Sequence, residues 1–133
     1  MATKRKRKKK RRYHTGIHVS PKAGECKYRP SWELEYMIYL DNNENVIKYE
    51  YEGFSIPYIS NIRSRKIRKY YPDLFVHYND KNVLIEIKPT RRLTNPIVKK
   101  KIGAAITWCS QNNAEFEIVT EQTLKSLGLL KIK

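Results

Sequence analysis

The feature that most constrains the fold is the run Val83-Leu84-Ile85-Glu86-Ile87, which is apolar and mostly β-branched except at Glu86. Such a composition is typical of a strand in the middle of a sheet, where both faces are covered. A second strand is predicted over Tyr70 to Tyr78, and the turn-forming residues 79–82 lie between the two. The sequence therefore predicts an antiparallel hairpin with a glutamate inside its more buried strand.

The register of this hairpin decides which side chains meet. We expect the four turn residues to sit symmetrically, which places Asp73 opposite Lys88 and diagonal to Glu86. All three side chains then share one face, because alternate residues of a strand point the same way. Diagonal neighbours lie roughly 7–8 Å apart at the backbone, so both carboxylates could reach one ion between them.

Glu86 needs a partner, because a charged side chain in the middle of a sheet is costly unless it is paired or bound to a metal. The plainer explanation is a salt bridge between Lys88 and either Glu86 or Asp73. The hairpin by itself leaves both explanations open.

A third carboxylate comes from the first predicted helix, which Ser31 can cap and which runs over Trp32 to Leu40. On a helical wheel Glu33 falls inside the apolar arc, whereas Glu35 falls on the solvent side. Glu33 also has a plainer role, since a carboxylate in the first turn is stabilised by free N–H groups and the helix dipole. Three inward acids and one Lys88 would leave a local charge of about −2, which Mg²⁺ or Mn²⁺ would neutralise.

The remaining apolar patterns and turn signals predict a strand at Val46 to Tyr51, an edge strand at Phe54 to Tyr58, a basic loop at 61–69, a helix from Asn95 to the turn at 112–113, a strand at Phe116 to Val119, and a helix that Thr120 caps and Gly128 ends. The order of helix, antiparallel strands, helix, strand and helix predicts a small α/β or α+β sandwich. With 133 residues, 40% of them hydrophobic, the chain can bury one modest core, which excludes a large multidomain enzyme.

The charge of the chain is strongly positive and unevenly spread. Lys and Arg number 28 against 13 Asp and Glu, and the net charge of +15 predicts a polyanionic partner. Much of it lies in one unbroken basic run: Lys4, Arg5, Lys6, Arg7, Lys8, Lys9, Lys10, Arg11 and Arg12. We expect residues 1–27 to be a basic N-terminal extension and residues 28–133 to be the folded domain. The run alone fits a nuclear-localisation or ribosomal-type arm as well as a DNA-binding tail.

Two cellular settings are disfavoured by the sequence. No run is apolar for long enough to span a bilayer, and the N-terminus lacks the hydrophobic region of a signal peptide. Cys26 and Cys109 are far apart and outside any cluster of histidines, which indicates reduced thiols rather than a disulfide or a zinc site. We therefore expect an intracellular protein that is neither secreted nor bound to a membrane.

The pair Pro72-Asp73, followed after a gap of twelve residues by Glu86-Ile87-Lys88, resembles the PD-(D/E)xK signature of the restriction-endonuclease-like nucleases. The likeness is made more specific by the segments Tyr28-Arg29-Pro30-Ser31-Trp32-Glu33-Leu34, Tyr70-Tyr71-Pro72-Asp73-Leu74-Phe75-Val76 and Ile85-Glu86-Ile87-Lys88-Pro89. Together they resemble the TnsA-type endonucleases, and most closely the head completion nucleases of tailed phages, over nearly the whole chain except the basic run.

This resemblance implies a restriction-endonuclease-like α/β (α+β) core, in which a small mixed sheet is flanked by helices. It also implies a Mg²⁺- or Mn²⁺-dependent endonuclease that hydrolyses DNA phosphodiester bonds at a site formed by Glu33, Asp73, Glu86 and Lys88. Asp73, Glu86 and the carbonyl of Ile87 would hold the ion, with Glu33 completing the site. Lys88 would orient the attacking water and help to remove its proton.

DNA would be bound with little sequence preference, because phosphate contacts carry no sequence information and the chain has no recognisable recognition helix or finger. The residues expected to contact DNA are those of the basic run, together with Arg65, Arg68, Asn95 and Lys101. The resemblance further implies capsid, portal or neck proteins as partners and a place in the host cytoplasm or the virion. Cutting both strands of a duplex would call for a second copy of so small a core.

Other classes of protein fit parts of the sequence. A virion assembly protein that retains a nuclease-like fold would have the basic surfaces without any dependence on metal. A ribosomal-type RNA-binding protein would account for the basic run but would leave Glu33, Asp73 and Glu86 unexplained. Cleavage of transposon ends is a third alternative within the nuclease class, and the short chain argues against it because little remains to contact a partner transposase.

Overall fold

A computed structural model of the protein describes residues 16–29 and 31–129. In chain order its elements are β1 (Gly16–Ser20), β2 (Gly24–Tyr28), α1 (Ser31–Asp41), β3 (Val46–Tyr51), β4 (Ile56–Asn61), β5 (Lys66–Tyr70), β6 (Leu74–Tyr78), β7 (Asn82–Ile87), α2 (Pro96–Gln111), β8 (Glu115–Val119) and α3 (Glu121–Ser126). A single 3₁₀ turn at Thr90–Arg92 precedes α2.

The centre of the fold is a four-stranded mixed sheet in the order β3-β6-β7-β8. Strand β6 runs antiparallel to both of its neighbours, β3 and β7, whereas β7 and β8 run parallel. A parallel pair needs a long crossover, and α2 supplies it. The predicted α+β class, with a small mixed sheet flanked by helices, is confirmed.

Strand β7 separates two apolar layers, as expected of a strand in the middle of the sheet. Val83, Ile85 and Ile87 pack on the side of α1, in a cluster with Met37 and other buried residues. Leu84 packs on the opposite side, in a second cluster with residues of α2. Since Glu86 follows the same alternation as Leu84, its side chain enters the layer beside α2.

The turn between β6 and β7 is shorter than the sequence suggested. The backbone N–H of Tyr78 donates a 2.8 Å hydrogen bond to the carbonyl of Lys81, so only residues 79–80 lie in the turn. The predicted four-residue turn over 79–82 was therefore wrong, and the register is shifted by two positions.

The corrected register brings the hairpin carboxylates closer together. Leu74 pairs with Ile85, and one further step places Asp73 opposite Glu86 rather than opposite Lys88. A shift of two positions leaves every side chain on its predicted face, because the period of a strand is two. The expected sharing of a face by Asp73 and Glu86 thus survives the error in register.

The basic segment 61–69 was predicted as a loop, and this prediction was wrong. Lys66–Tyr70 forms β5, which pairs with β4 as a separate two-stranded antiparallel sheet. Arg65 adopts φ 57 in the connecting turn. The sequence did not predict this strand because its first four residues are all exposed, so it lacks the alternation of apolar and polar residues.

Residues 16–27 were assigned to the basic extension, but they form part of the folded structure. Strands β1 and β2 pair as a hairpin, and Cys26 on β2 is only 1% exposed in the core beside α1. The hairpin is tied to the end of α1 by Asp41, which accepts a 2.6 Å hydrogen bond from Ser20 and lies 2.7 Å from the ring of His18. The predicted boundary at residue 28 is therefore too late, and the run at 4–12 lies outside the described residues.

Two predicted helix starts are confirmed. The side chain of Asn95 accepts hydrogen bonds from the N–H groups of Ile97 and Val98, with Pro96 at the first position of α2. Thr120 caps α3 in the same way. Both cysteines are unpaired and buried. None of the helices among the described residues combines the length and apolar character needed to span a bilayer.

Candidate active site

Four segments that are distant in sequence meet at one end of the mixed sheet. Both neighbours of β6 run antiparallel to it, so its start lies beside the ends of β3 and β7. This topology brings Glu52, just after β3, next to Asp73, just before β6, where the N–H of Glu52 donates a 3.0 Å hydrogen bond to the carbonyl of Asp73. Glu33 enters from the first turn of α1, and Glu86 and Lys88 come from the end of β7.

Three of these carboxylates form what we call the acidic cluster: Glu33, Glu52 and Asp73. One carboxylate oxygen from each lies within 4.8 Å of the others. Oxygen donors from carboxylates suit hard divalent cations such as Mg²⁺ and Mn²⁺, and no imidazole or thiolate belongs to the group. These donors therefore fit the kind of ion predicted from the sequence. The acidic cluster contains Glu52 in place of the expected Glu86.

Asp73 lies at the centre of the site. Its Oδ2 accepts a 2.7 Å hydrogen bond from the N–H of Ile87, which holds the side chain at the end of β7. Burial, followed by the nearby charges of Glu86 and Glu33, raises the pKa of Asp73 well above its ordinary value, although the Ile87 N–H and Lys88 oppose the rise. Without a bound cation, the negative charge of these carboxylates thus exceeds the positive charge that nearby residues provide.

Glu33 faces inward, as the helical wheel predicted, and is 5% exposed. Its Oε1 accepts a 2.7 Å hydrogen bond from the hydroxyl of Tyr51 and a 3.3 Å bond from the backbone N–H of Arg29. The second donor lies just before α1, as the plainer helix-terminus role would require. Glu33 is therefore fixed in position by two donors and still contributes an oxygen to the acidic cluster.

Glu86 is equally buried but has different partners. The Tyr70 hydroxyl donates a 2.5 Å hydrogen bond to its Oε1, and Lys88 Nζ lies 3.4 Å from its Oε2. Burial raises the pKa of Glu86, while Tyr70, Lys88 and Lys101 oppose the rise. The salt bridge that offered the plainer explanation of this glutamate is thus present, and Glu86 adjoins the acidic cluster without belonging to it.

Glu52 was not identified from the sequence. It forms an ion pair with Arg29, and burial raises its pKa while Arg29 opposes the rise. Its backbone adopts φ 48, a conformation that turns the chain sharply after β3. No local pattern marks this residue, because its place beside Asp73 depends on the pairing of β3 with β6, which the sequence does not reveal.

The residues predicted to contact DNA are placed unequally. Arg65 is exposed in the turn before β5, and Arg68 is exposed on β5, the strand that ends at Tyr70. Lys101 Nζ lies 6.0 Å from the ring centroids of both Tyr58 and Tyr70, which brings it beside the site. The side-chain oxygen of Asn95 is engaged in capping α2.

Comparison with known proteins shows which family the chain belongs to. Residues 43–121 match the family described as TnsA-like endonuclease N terminal. The chain therefore belongs to the TnsA-like endonucleases. One relative is the head completion nuclease of Enterobacteria phage T4, which is 30% identical over 137 residues, spanning 84% of this chain and 91% of that protein. The resemblance seen in the sequence motifs is confirmed.

Proposed function

We propose that this protein is a divalent-metal-dependent DNA endonuclease that hydrolyses phosphodiester bonds. The observation that carries the proposal is the convergence of Glu33, Glu52 and Asp73 beside the Glu86–Lys88 pair in a chain of the TnsA-like endonuclease family. Buried carboxylates gathered in this way are costly unless a cation joins them. We infer that the cation is Mg²⁺ or Mn²⁺.

Asp73 lies between the other two residues of the acidic cluster and Glu86. It shares the acidic cluster with Glu33 and Glu52 on one side and adjoins Glu86 on the other. We assign Asp73, Glu33 and Glu86 to the metal site, as the family resemblance implies, and add Glu52; the carbonyl of Ile87 is a further donor in this assignment. A divalent cation held by these residues would act as a Lewis acid and stabilise charge on the scissile phosphate.

Lys88 is the proposed residue for handling the attacking water. Its ammonium group lies 3.4 Å from Glu86 Oε2 and is about one-fifth exposed, so it can contact both the buried carboxylate and a solvent molecule. Through its N–H donors it would orient the attacking water and stabilise the negative charge that develops in the reaction. Lys101 beside Tyr70 adds positive charge where the phosphate backbone would lie.

The relative suggests where such an enzyme acts. Because the likeness to a phage head completion nuclease spans most of both chains, we propose a role in capsid maturation or DNA packaging. The partners would be DNA and capsid, portal or neck proteins, in the host cytoplasm or the virion. A second copy of the chain would be needed to cut both strands at one position.

Plasmid cutting tests the proposal. Wild-type protein should nick or linearise supercoiled DNA with Mg²⁺ or Mn²⁺ and should leave it intact in EDTA. Asp73→Ala and Lys88→Ala should lose activity, whereas Glu35→Ala, a change at a half-buried residue of α1 outside the acidic cluster, should keep it. Equal cutting by all four proteins would eliminate the site. Cutting by none, in folded protein, would favour a non-catalytic assembly role.

A further inference from the structure

The β4–β5 pair forms a basic ribbon, defined here as residues 56–70. It contains no acidic residue and five basic ones: Arg63, Arg65, Lys66, Arg68 and Lys69. All five are exposed. A segment of fifteen residues with this charge repels itself until a polyanion neutralises it, and the regular spacing of the two strands presents the charges along an extended surface.

The far end of the ribbon is apolar as well as basic. Ile62 in the turn is 76% exposed, and Ile59 and Ile67, which pair across the two strands, are 50% and 65% exposed. We call these three residues the isoleucine tip. Exposed large apolar side chains that cluster in this way mark an interaction surface.

The near end of the ribbon is anchored in the catalytic region. Tyr58 and Tyr70 are buried in the layer beside α2, and Tyr70 donates its hydrogen bond to Glu86. Lys100 on α2 donates a 2.8 Å hydrogen bond to the carbonyl of Ser60, near the end of β4. The ribbon is thus held in a defined direction relative to Glu86.

The length of the ribbon sets how far from the reacting phosphate its tip would act. From Tyr70 to the turn the strand advances roughly 13–17 Å at about 3.3 Å per residue. Duplex DNA rises about 3.4 Å per base pair, so this reach covers roughly four or five base pairs.

We propose that the basic ribbon binds duplex DNA through its phosphates and inserts Ile62 between base pairs, kinking the substrate. This inference rests on the proposed nuclease function and adds how the substrate is recognised. A two-stranded ribbon fits a DNA groove, and isoleucine is among the side chains that proteins insert between base steps. Duplex DNA has a complementary group for each part of the ribbon. Its apolar base faces fit the isoleucine tip, and its two rows of phosphates fit the five cations of the ribbon.

Insertion of Ile62 between base pairs would affect which DNA substrates the protein prefers. Unstacking a base step costs free energy, and this cost is lower where the duplex is already weakened. The protein should therefore prefer duplexes with a mismatch or a branch over fully paired DNA, although it reads no base sequence.

Binding in EDTA tests the ribbon without any cutting, so a failure here is distinguishable from a failure of the nuclease proposal. The probes are end-labelled duplexes of about 30 base pairs, roughly three helical turns, with or without a central two-base mismatch. Wild-type protein should bring the two end dyes closer together. It should also bind the mismatched duplex roughly tenfold more tightly than the paired one, because the unstacking cost is already met.

Ile62→Ala should abolish both the change in dye separation and the preference for the mismatch. Because Ile62 is highly exposed in a turn, the fold should be unaffected, and circular dichroism checks this. The matched control is Ile47→Ala, which removes a similarly exposed isoleucine from β3 and should behave as wild type. If Ile62→Ala bends DNA and prefers the mismatch like the wild type, the wedge is overturned.

A charge variant tests the binding of phosphates separately. Arg65→Ala and Arg68→Ala together should reduce the slope of log affinity against log salt by about 1 for each phosphate that the ribbon no longer neutralises. Lys125→Ala, which removes an exposed lysine from α3, should leave the slope unchanged. An unchanged slope in the double variant would show that the ribbon binds something other than DNA and would overturn the proposal.

Discussion

The hydroxyl of Tyr70 donates a 2.5 Å hydrogen bond to the buried carboxylate of Glu86. Tyr70 ends β5, and Glu86 lies near the end of β7, so one contact joins the basic ribbon to the end of the central sheet that carries the candidate active site. Burial and the neighbouring Glu86 raise the pKa of Tyr70, which keeps its hydroxyl protonated and able to donate.

Tyr70→Phe should therefore weaken both the fold and the activity. Removing the hydroxyl leaves a buried carboxylate oxygen without its donor, which costs about 1–3 kcal/mol in the free energy of unfolding. Glu86 would also be held less firmly beside Lys88, so plasmid cutting should slow. Urea denaturation and initial cutting rates measure the two effects. Tyr71→Phe is the control, because Tyr71 is exposed, and equal losses in both variants would contradict the assigned role.

Asp73→Asn should stabilise the protein in EDTA while it removes cutting. The neutral amide keeps an oxygen that can accept from the Ile87 N–H but no longer repels Glu33 and Glu86. We expect a gain of roughly 0.5–2 kcal/mol in the free energy of unfolding. A loss of stability would mean that the carboxylates do not repel one another in the folded protein.

The same pair of proteins tests metal binding. Mg²⁺ should raise the melting temperature of the wild type, because a ligand that binds the folded state adds about 2.7 kcal/mol of stability at 100 times its Kd. Asp73→Asn should show a much smaller shift. Ca²⁺, which also takes oxygen ligands, is a second ion with which the same shift in melting temperature can be measured. Equal shifts in both proteins would place the ion elsewhere.

Glu52→Gln should weaken metal binding, although no sequence pattern identifies this residue. Its carboxylate is one of the three in the acidic cluster, and the amide lacks the charge that holds a cation. We expect a 10–100-fold loss of apparent Mg²⁺ affinity, the range seen when supporting groups of a metal site are removed, measured from the Mg²⁺ dependence of cutting. Glu50→Gln, two residues earlier and exposed on β3, should leave that dependence unchanged.

Local signals in the sequence predicted the elements that depend on local chemistry. Asn95 and Pro96 determine the start of α2 because the cap and the fixed φ of proline act within one turn. The apolar run at 83–87 predicted a buried strand for a similar reason, since both of its faces need partners. Glu33 was placed inward by the period of its own helix.

Features that depend on distant pairing were predicted less well. The hairpin register was wrong because one hydrogen bond, from Tyr78 to Lys81, shortens the turn by two residues. The ribbon was missed because its second strand gains its order from pairing with β4 and not from an apolar pattern. Glu52 joined the site through the pairing of β3 with β6. Each error concerns which segments meet, and a linear pattern of side chains does not specify that.

Cys26 should be inert in the folded protein and should make stability fall at alkaline pH. Burial and the nearby charge of Asp41 raise the pKa of this thiol from 9.0 to about 11. The unfolded chain therefore releases the thiol proton at a lower pH than the folded chain does. The stabilising contribution is complete below pH 9 and is lost as the pH rises from 9 towards 11. At pH 8, a thiol reagent should label Cys26 and Cys109 only after urea is added, because both are buried.

The contribution of Cys26 can be separated from that of the buried tyrosines, whose raised pKa values act in the same direction. Cys26→Ala removes the thiol but keeps a small apolar side chain beside α1, so it should lower stability at pH 8 and reduce the further loss between pH 9 and pH 11. Cys109→Ala is the matched comparison for labelling, because it removes the buried thiol from the other apolar layer and leaves the β1–β2 hairpin untouched. Burial also raises the pKa of Cys109, so this variant should likewise reduce the alkaline loss of stability. Rapid labelling of Cys26 at pH 8 without urea would show that the β1–β2 hairpin opens readily and that residues 16–27 contribute little to the folded core.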